Sequence, residues 1–177
     1  MRAGCGPSAG SRLVAARDCA PTQWYGFQAE WWVPLERDAR RRYGAALQRR
    51  LAATSITYRL DGLHVPGRAG EVPVEVRFYA VPPYDCYGLD AEDYPRVWAD
   101  RDLPSPHRMP DRSLCLYYPL DPPERRWVAR RDGLAVLFDL IADHLFCELH
   151  WRATGAVRHG EWVGDEAAHG FPRGTAT

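Results

Sequence analysis

Asp111-Arg112-Ser113-Leu114-Cys115-Leu116-Tyr117-Tyr118-Pro119 places one thiol inside an apolar run. The approach to it is rich in Pro and His: Pro104, Pro106, His107, Pro110. Beyond it come a Pro-rich loop, Asp121-Pro122-Pro123, then Trp127 and a long apolar stretch. Taken alone, Cys115 has two readings. Cysteine is among the most buried residue types, so a core thiol on a short strand is the plain one. The other is a nucleophile presented by a loop, and only the surrounding segments separate the two.

Downstream, residues 134–153 read as a helix. Leu134, Leu137, Phe138, Ile141, Leu145 and Leu149 form one apolar stripe, and Val136, Leu140, Cys147 and Trp151 a second. A helix apolar on two sides is expected to be covered on both, and Gly155 is expected to stop it. Upstream, residues 34–53 also read as a helix. Pro34 suits a first helical position, Glu36 and Asp38 suit the first turn, and Leu35, Ala39, Tyr43, Leu47 and Leu51 recur every four residues. Arg37, Arg40, Arg41, Arg42, Arg49 and Arg50 cover much of the remaining surface. Trp24, Tyr25, Phe27, Trp31 and Trp32 precede it and are expected to pack it onto the domain.

Between the helices the period changes to two. Ile56, Tyr58 and Leu60 alternate with polar neighbours, as do Val72, Val74, Val76 and Phe78, which predicts strands with one buried face. Pro66 to Gly70 is a loop by its turn residues. Pro73 cannot donate to a ladder and is expected at an edge or a strand start. Residues 94–98 are expected as a further strand. Together these predict an α+β chain with an antiparallel meander and flanking helices.

Composition narrows the class. The chain has 177 residues and a formal charge of zero, so no charge excess points to nucleic acid or to a membrane surface. All 23 basic residues are Arg, and Lys and Asn are both absent, a pattern that fits a GC-rich genome. The five cysteines, Cys5, Cys19, Cys86, Cys115 and Cys147, are an odd number without regular spacing and suit a reducing cytoplasm better than a disulfide framework. No apolar leader or membrane span is expected. The domain is expected over 30–164, with a disordered extension over 1–22 and a flexible tail over 165–177.

The order of the pieces around Cys115 resembles the catalytic region of ubiquitin-conjugating enzymes. It is more similar to the bacterial ones found beside antiphage cyclic-oligonucleotide synthases. Pro106-His107, then Pro110-Asp111-Arg112-Ser113-Leu114-Cys115-Leu116-Tyr117, and Trp127 carry the first half of the resemblance. Glu148, Trp151, Ala153-Thr154-Gly155, Gly160-Glu161-Trp162 and His169 carry the second. It covers about residues 94–170 well, and 30–93 only as an order of elements. The resemblance implies a ubiquitin-conjugating fold; a cytoplasmic location is expected from the cysteines, and no cofactor or metal is expected. Cys115 would hold, as a thioester, the C-terminus of a ubiquitin-like protein or of a cyclic-oligonucleotide synthase, and pass it to an amine in antiphage defence. An activating (E1-like) enzyme is a further implied partner.

Such chemistry needs a thiol because thiolate is strongly nucleophilic and its thioester stays reactive toward amines. The thiolate needs nearby positive charge, for which His107, Arg108 and Arg112 are the local candidates. The oxyanion of transfer needs donors. Eukaryotic relatives use an Asn, which this chain lacks, and His107 stands in the matching region, for oxyanion support or for loop structure. Asp111 and Asp121 are candidates to orient or deprotonate an amine, or to cap turns. Tyr117 is expected to wall the groove or fill the core, and Trp127 to anchor packing beneath the site. Arg112 stands where the bacterial relatives have Gly, so a positive φ there would strain it.

Three rival readings stand beside this one. A silent adaptor would keep the fold and bind a partner. A hydrolase would pair Cys115 with His107 or a distant His. His144, Cys147 and His150 have a spacing that suggests zinc, but the two His lie about 120° apart around a helix.

Overall fold

The computed structural model describes residues 24–155 and 160–163. The expected extension over 1–22 and tail over 165–177 lie outside the described residues, as does His169. The class is α+β: helix α1 (Ala29–Tyr43), strands β1 (Leu47–Leu51), β2 (Ser55–Leu63), β3 (Val72–Tyr79) and β4 (Arg96–Trp98), then helix α2 (Ala129–Ala153). The strands pair in chain order, all antiparallel, as a meander.

The first helix differs from its expected bounds at both ends. It begins at Ala29, because Trp31 is driven into the core, 2% exposed, with its ring 5.2 Å from that of Phe78. Pro34 therefore sits inside the helix, where it cannot donate to the carbonyl one turn back. The helix ends at Tyr43, where Gly44 takes φ 54° and turns the chain back. Leu47 and Leu51 consequently lie on β1, opposite Leu60 and Ile56. Residues four apart share one face of a strand as well as of a helix, so the spacing alone could not tell them apart. Leu47 is buried and Leu51 exposed.

The alternating strands behave as their pattern predicts. Ile56, Tyr58, Leu60, Val72, Val74, Val76 and Phe78 are buried, in one cluster with Trp31, Leu35 and Ala39 of α1 and Leu134, Leu137, Phe138, Ile141 and Leu145 of α2. Burial of each large apolar side chain contributes about 1.5–3 kcal/mol. Pro73 is the second residue of β3, outside the Glu75–Arg77 stretch that β4 pairs. The basic side chains expected on the first helix are partly spent within the fold, Arg40 from α1 and Arg49 from β1. Arg40 and Arg49 both pair with the buried Glu36, and the Arg49 guanidinium lies 3.7 Å over the Trp32 ring.

Regular helix in α2 resumes at Leu134, because Gly133 (φ 67°, ψ −179°) breaks it from the turn before. That region of backbone space is essentially reserved for glycine. A Cβ there would lie 3.1 Å from the Leu35 carbonyl oxygen of α1. Gly133→Ala is expected to destabilise by about 1–3 kcal/mol in urea titration, through the backbone conformation and the crossing of the two helices. Among the described residues, no helix is long and apolar enough to cross a membrane.

Candidate active site

From β4 the chain runs through an irregular passage and returns as a tight hairpin. Arg108 and Leu114 form a single antiparallel bridge, and the Met109 N–H donates to the Ser113 carbonyl at 2.9 Å. Arg112 N–H donates to the Met109 carbonyl at 2.8 Å, closing a turn with Pro110 in second place. The next step of such a loop calls for a left-handed residue, and Arg112 has φ 63°. The strain foreseen for Arg at this position is therefore present. Arg112→Gly is expected to leave stability within about 1 kcal/mol, since relief of strain offsets the looser unfolded chain. Arg112→Val should cost about 1–3 kcal/mol. Denaturant titration of both variants checks the contrast.

The hairpin hangs Cys115 from β4. Leu114 N–H donates to the Val97 carbonyl at 2.8 Å, and Cys115 N–H to the His107 carbonyl at 3.1 Å. Cys115 is thus half-buried in irregular chain just past the bridge, and not on a strand. Asp111 holds the turn: its Oδ1 accepts from Ser113 N–H at 3.0 Å and from Ser113 Oγ–H at 2.6 Å. This is the turn-capping role, and the other carboxylate oxygen faces Arg96 Nε at 3.3 Å.

A buried ion cluster fixes the hairpin to α2. Arg108 donates from Nε to Glu148 Oε1 at 3.0 Å and from Nη2 to Oε2 at 2.8 Å, a two-pronged pairing. Its Nη1 donates to the Ala99 carbonyl at 2.8 Å. Glu148, fully buried, is also 3.3 Å from His144 Nε2 and 3.2 Å from Arg152 Nη1. Burial works against the Glu148 charge, but hydrogen bonds from His144 and Arg108 prevail and hold its pKa down at about 2. Arg108, a candidate to charge the thiol, is committed to Glu148 instead.

His107 lies beside this cluster, with its ring 4.2 Å from the Trp162 ring and 6.4 Å from that of His144. The Gly160-Glu161-Trp162 segment thus meets the segment before the cysteine, although 55 positions separate Trp162 from His107 in the chain. The two His proposed for zinc diverge: His144 faces Glu148, and His150 Nε2 lies 3.8 Å from Glu161.

The remaining candidates divide between wall and core. Tyr117 lines a small cavity with Cys115, and its hydroxyl donates to the Asp93 carbonyl at 2.7 Å. Trp127 is 1% exposed, and its Nε1 donates to the Gly133 carbonyl at 2.9 Å, at the helix break. Asp121 sits in the turn after Tyr118, whose carbonyl accepts its N–H at 3.1 Å.

The cavity is bounded by Arg96 and Val97 of β4, Leu114, Cys115 and Tyr117 of the returning chain, and Leu137 of α2. Its free volume of about 10 Å³ is at the threshold for one water molecule, far too small for an organic cofactor. Burial pushes the Cys115 thiol up, while the charge of Arg96 pulls it back. The resting thiol is therefore poorly ionised, and the cation acting on it is Arg96 and not His107, Arg108 or Arg112. Its sequence signal is that Arg96 is the one charge in the otherwise apolar stretch Tyr94-Pro95-Arg96-Val97-Trp98, of which β4 takes the last three residues. Cys86 is half-buried and Cys147 buried, and burial raises both thiols too. Compared with protein-family models, curated proteins and solved structures, the chain matches none.

Proposed function

We propose that the chain is a ubiquitin-conjugating-like acyltransferase whose Cys115 carries a protein C-terminus as a thioester. The observation that carries this reading is the presentation of Cys115. Its thiol sits half-buried on a hairpin that is bonded to β4 on one side and clamped to a C-terminal helix by Arg108 and Glu148 on the other. Motif residues from both parts of the resemblance meet beside this hairpin, as His107 and Trp162 do. The order of helix, four-stranded meander, irregular cysteine segment and C-terminal helix fits a ubiquitin-conjugating fold.

In the transfer, an amine nitrogen attacks the thioester carbonyl carbon and the carbonyl electron pair moves to oxygen. Collapse breaks the carbon–sulfur bond, releases Cys115 as thiolate, and leaves an amide; the surplus amine proton passes to solvent. The donor is the C-terminus of a ubiquitin-like protein or a cyclic-oligonucleotide synthase, with an activating enzyme where the carboxylate is not already activated. Incubating the native protein with donors and activating enzyme encoded beside its gene tests this: a covalent adduct removed by reducing agent is the expected result.

The upward push on the Cys115 thiol favours a second reading, a silent adaptor that binds the same partners. An adaptor retains partner binding and biological activity after Cys115→Ala, whereas an enzyme loses the activity.

A further inference from the structure

The absence of Asn leaves the transfer without the usual donor for a developing negative charge. A cation meets that need electrostatically if it is fixed near the sulfur and shielded from water. Arg96 has those properties. It is the charged residue among the cavity-lining side chains, on the β4 wall that Cys115 also borders. Its side chain is only 7% exposed. Its Nε, wholly buried, faces Asp111 Oδ2 at 3.3 Å without hydrogen-bond geometry, and its guanidinium is 3.7 Å over the Tyr84 ring and 5.3 Å from that of Tyr94. Stacking fixes the plane of the guanidinium without using its N–H donors.

We infer that Arg96 is the charge-stabilising residue of this site, holding the Cys115 thiolate and then the oxyanion formed at its thioester carbonyl. The second half rests on the acyltransferase reading; the first does not. The site is built to be adjustable. Asp111 Oδ2, 3.3 Å from Arg96 Nε, partly neutralises the cation and is itself 43% exposed, so an incoming partner can take its place. Among the residues lining the cavity, the ionisable groups other than the thiol and Arg96 are phenols. Tyr94 and Tyr117 are both pushed up by burial and stay neutral near pH 7, and α2 contributes only Leu137 to the cavity. Cys86 also feels Arg96, but with the opposing charge of Asp85 beside it. The cavity holds about one oxygen atom, the size of the group that needs the charge.

The test is the pH profile of Cys115 alkylation, read by peptide mass mapping on the full chain, with neutral iodoacetamide and anionic iodoacetate. In Arg96→Gln the midpoint should rise by about one pH unit, so that reaction at pH 7 falls about tenfold. The preference for iodoacetate relative to a free thiol should vanish with it. Arg96→Lys should keep the charge preference. Asp111→Asn retains the Oδ1 acceptor of the turn and should lower the midpoint, which gives a reading even if Arg96→Gln does not fold. A folded Arg96→Gln with unchanged midpoint and unchanged reagent preference overturns the inference, as does an unmoved midpoint in Asp111→Asn. Because alkylation needs no acyl donor, these results stand apart from failure of the acyltransferase reading, which shows as absence of a thiol-sensitive adduct in the native protein.

Discussion

Cys115→Ser is expected to replace the thiol-labile adduct of the proposed acyltransferase by one that survives reducing agent and forms more slowly. The hydroxyl is a weaker nucleophile than the thiol, and its ester does not exchange with thiols. Cys115→Lys goes a step further. The native chain contains no lysine, so the new amine is its only one apart from the N-terminus. A half-buried site lowers a lysine pKa and supplies the neutral amine that attack requires. The expected product is a stable amide at position 115, found there by mass mapping and at no other side chain. The effect is all or none on a reducing gel: native adduct lost, Lys adduct retained. A well-folded native protein that forms no thiol-sensitive adduct with donors encoded beside its gene would transfer the assignment to the adaptor.

Glu148→Ala should cost about 3–5 kcal/mol in denaturant titration at neutral pH, because it leaves Arg108 buried without its counter-charge. Glu148→Gln should cost less, since it keeps the volume and one acceptor oxygen. The same carboxylate predicts an acid response. Its pKa lies near 2 in the folded chain against an ordinary 4.5, so its contribution is fully present above the ordinary value. As pH falls from there through about 2 the contribution is lost, on the order of 3 kcal/mol in all. Wild type should therefore lose more stability than Glu148→Ala between pH 5 and pH 2, and equal losses would contradict the clamp. The effect reaches the site. With Arg108 released, the hairpin loosens, and Cys115 should react faster with neutral iodoacetamide in still-folded Glu148→Ala than in wild type.

Local chemistry made some of this legible in the chain itself. Period-two alternation in Ile56-Tyr58-Leu60 and Val72-Val74-Val76-Phe78 is sufficient to set a buried strand face, and the structure has strands there. The apolar stripes of 134–153 likewise predict a helix, and regular helix begins at Leu134 once Gly133 has turned the chain. The resemblance supplied Gly as the residue expected at position 112, and the left-handed backbone of Arg112 shows why a glycine would suit it. Spacing failed at Leu47 and Leu51. Four residues bring side chains to one face in either conformation, and the choice fell to Gly44 and to pairing with β2. The charges around Cys115 were decided by tertiary structure. His107, Arg108 and Arg112 are near in sequence, but Arg108 is drawn into Glu148 from 40 positions away, and the Arg112 guanidinium donates to the Arg101 carbonyl. Arg96 reaches the cavity because β4 runs beneath the returning hairpin, a juxtaposition created by the Leu114–Val97 hydrogen bond. Sequence determines which residues can bear charge or form an element. Which charge meets the thiol depends on long-range burial, since only a buried neighbour acts at full strength in a medium of low dielectric.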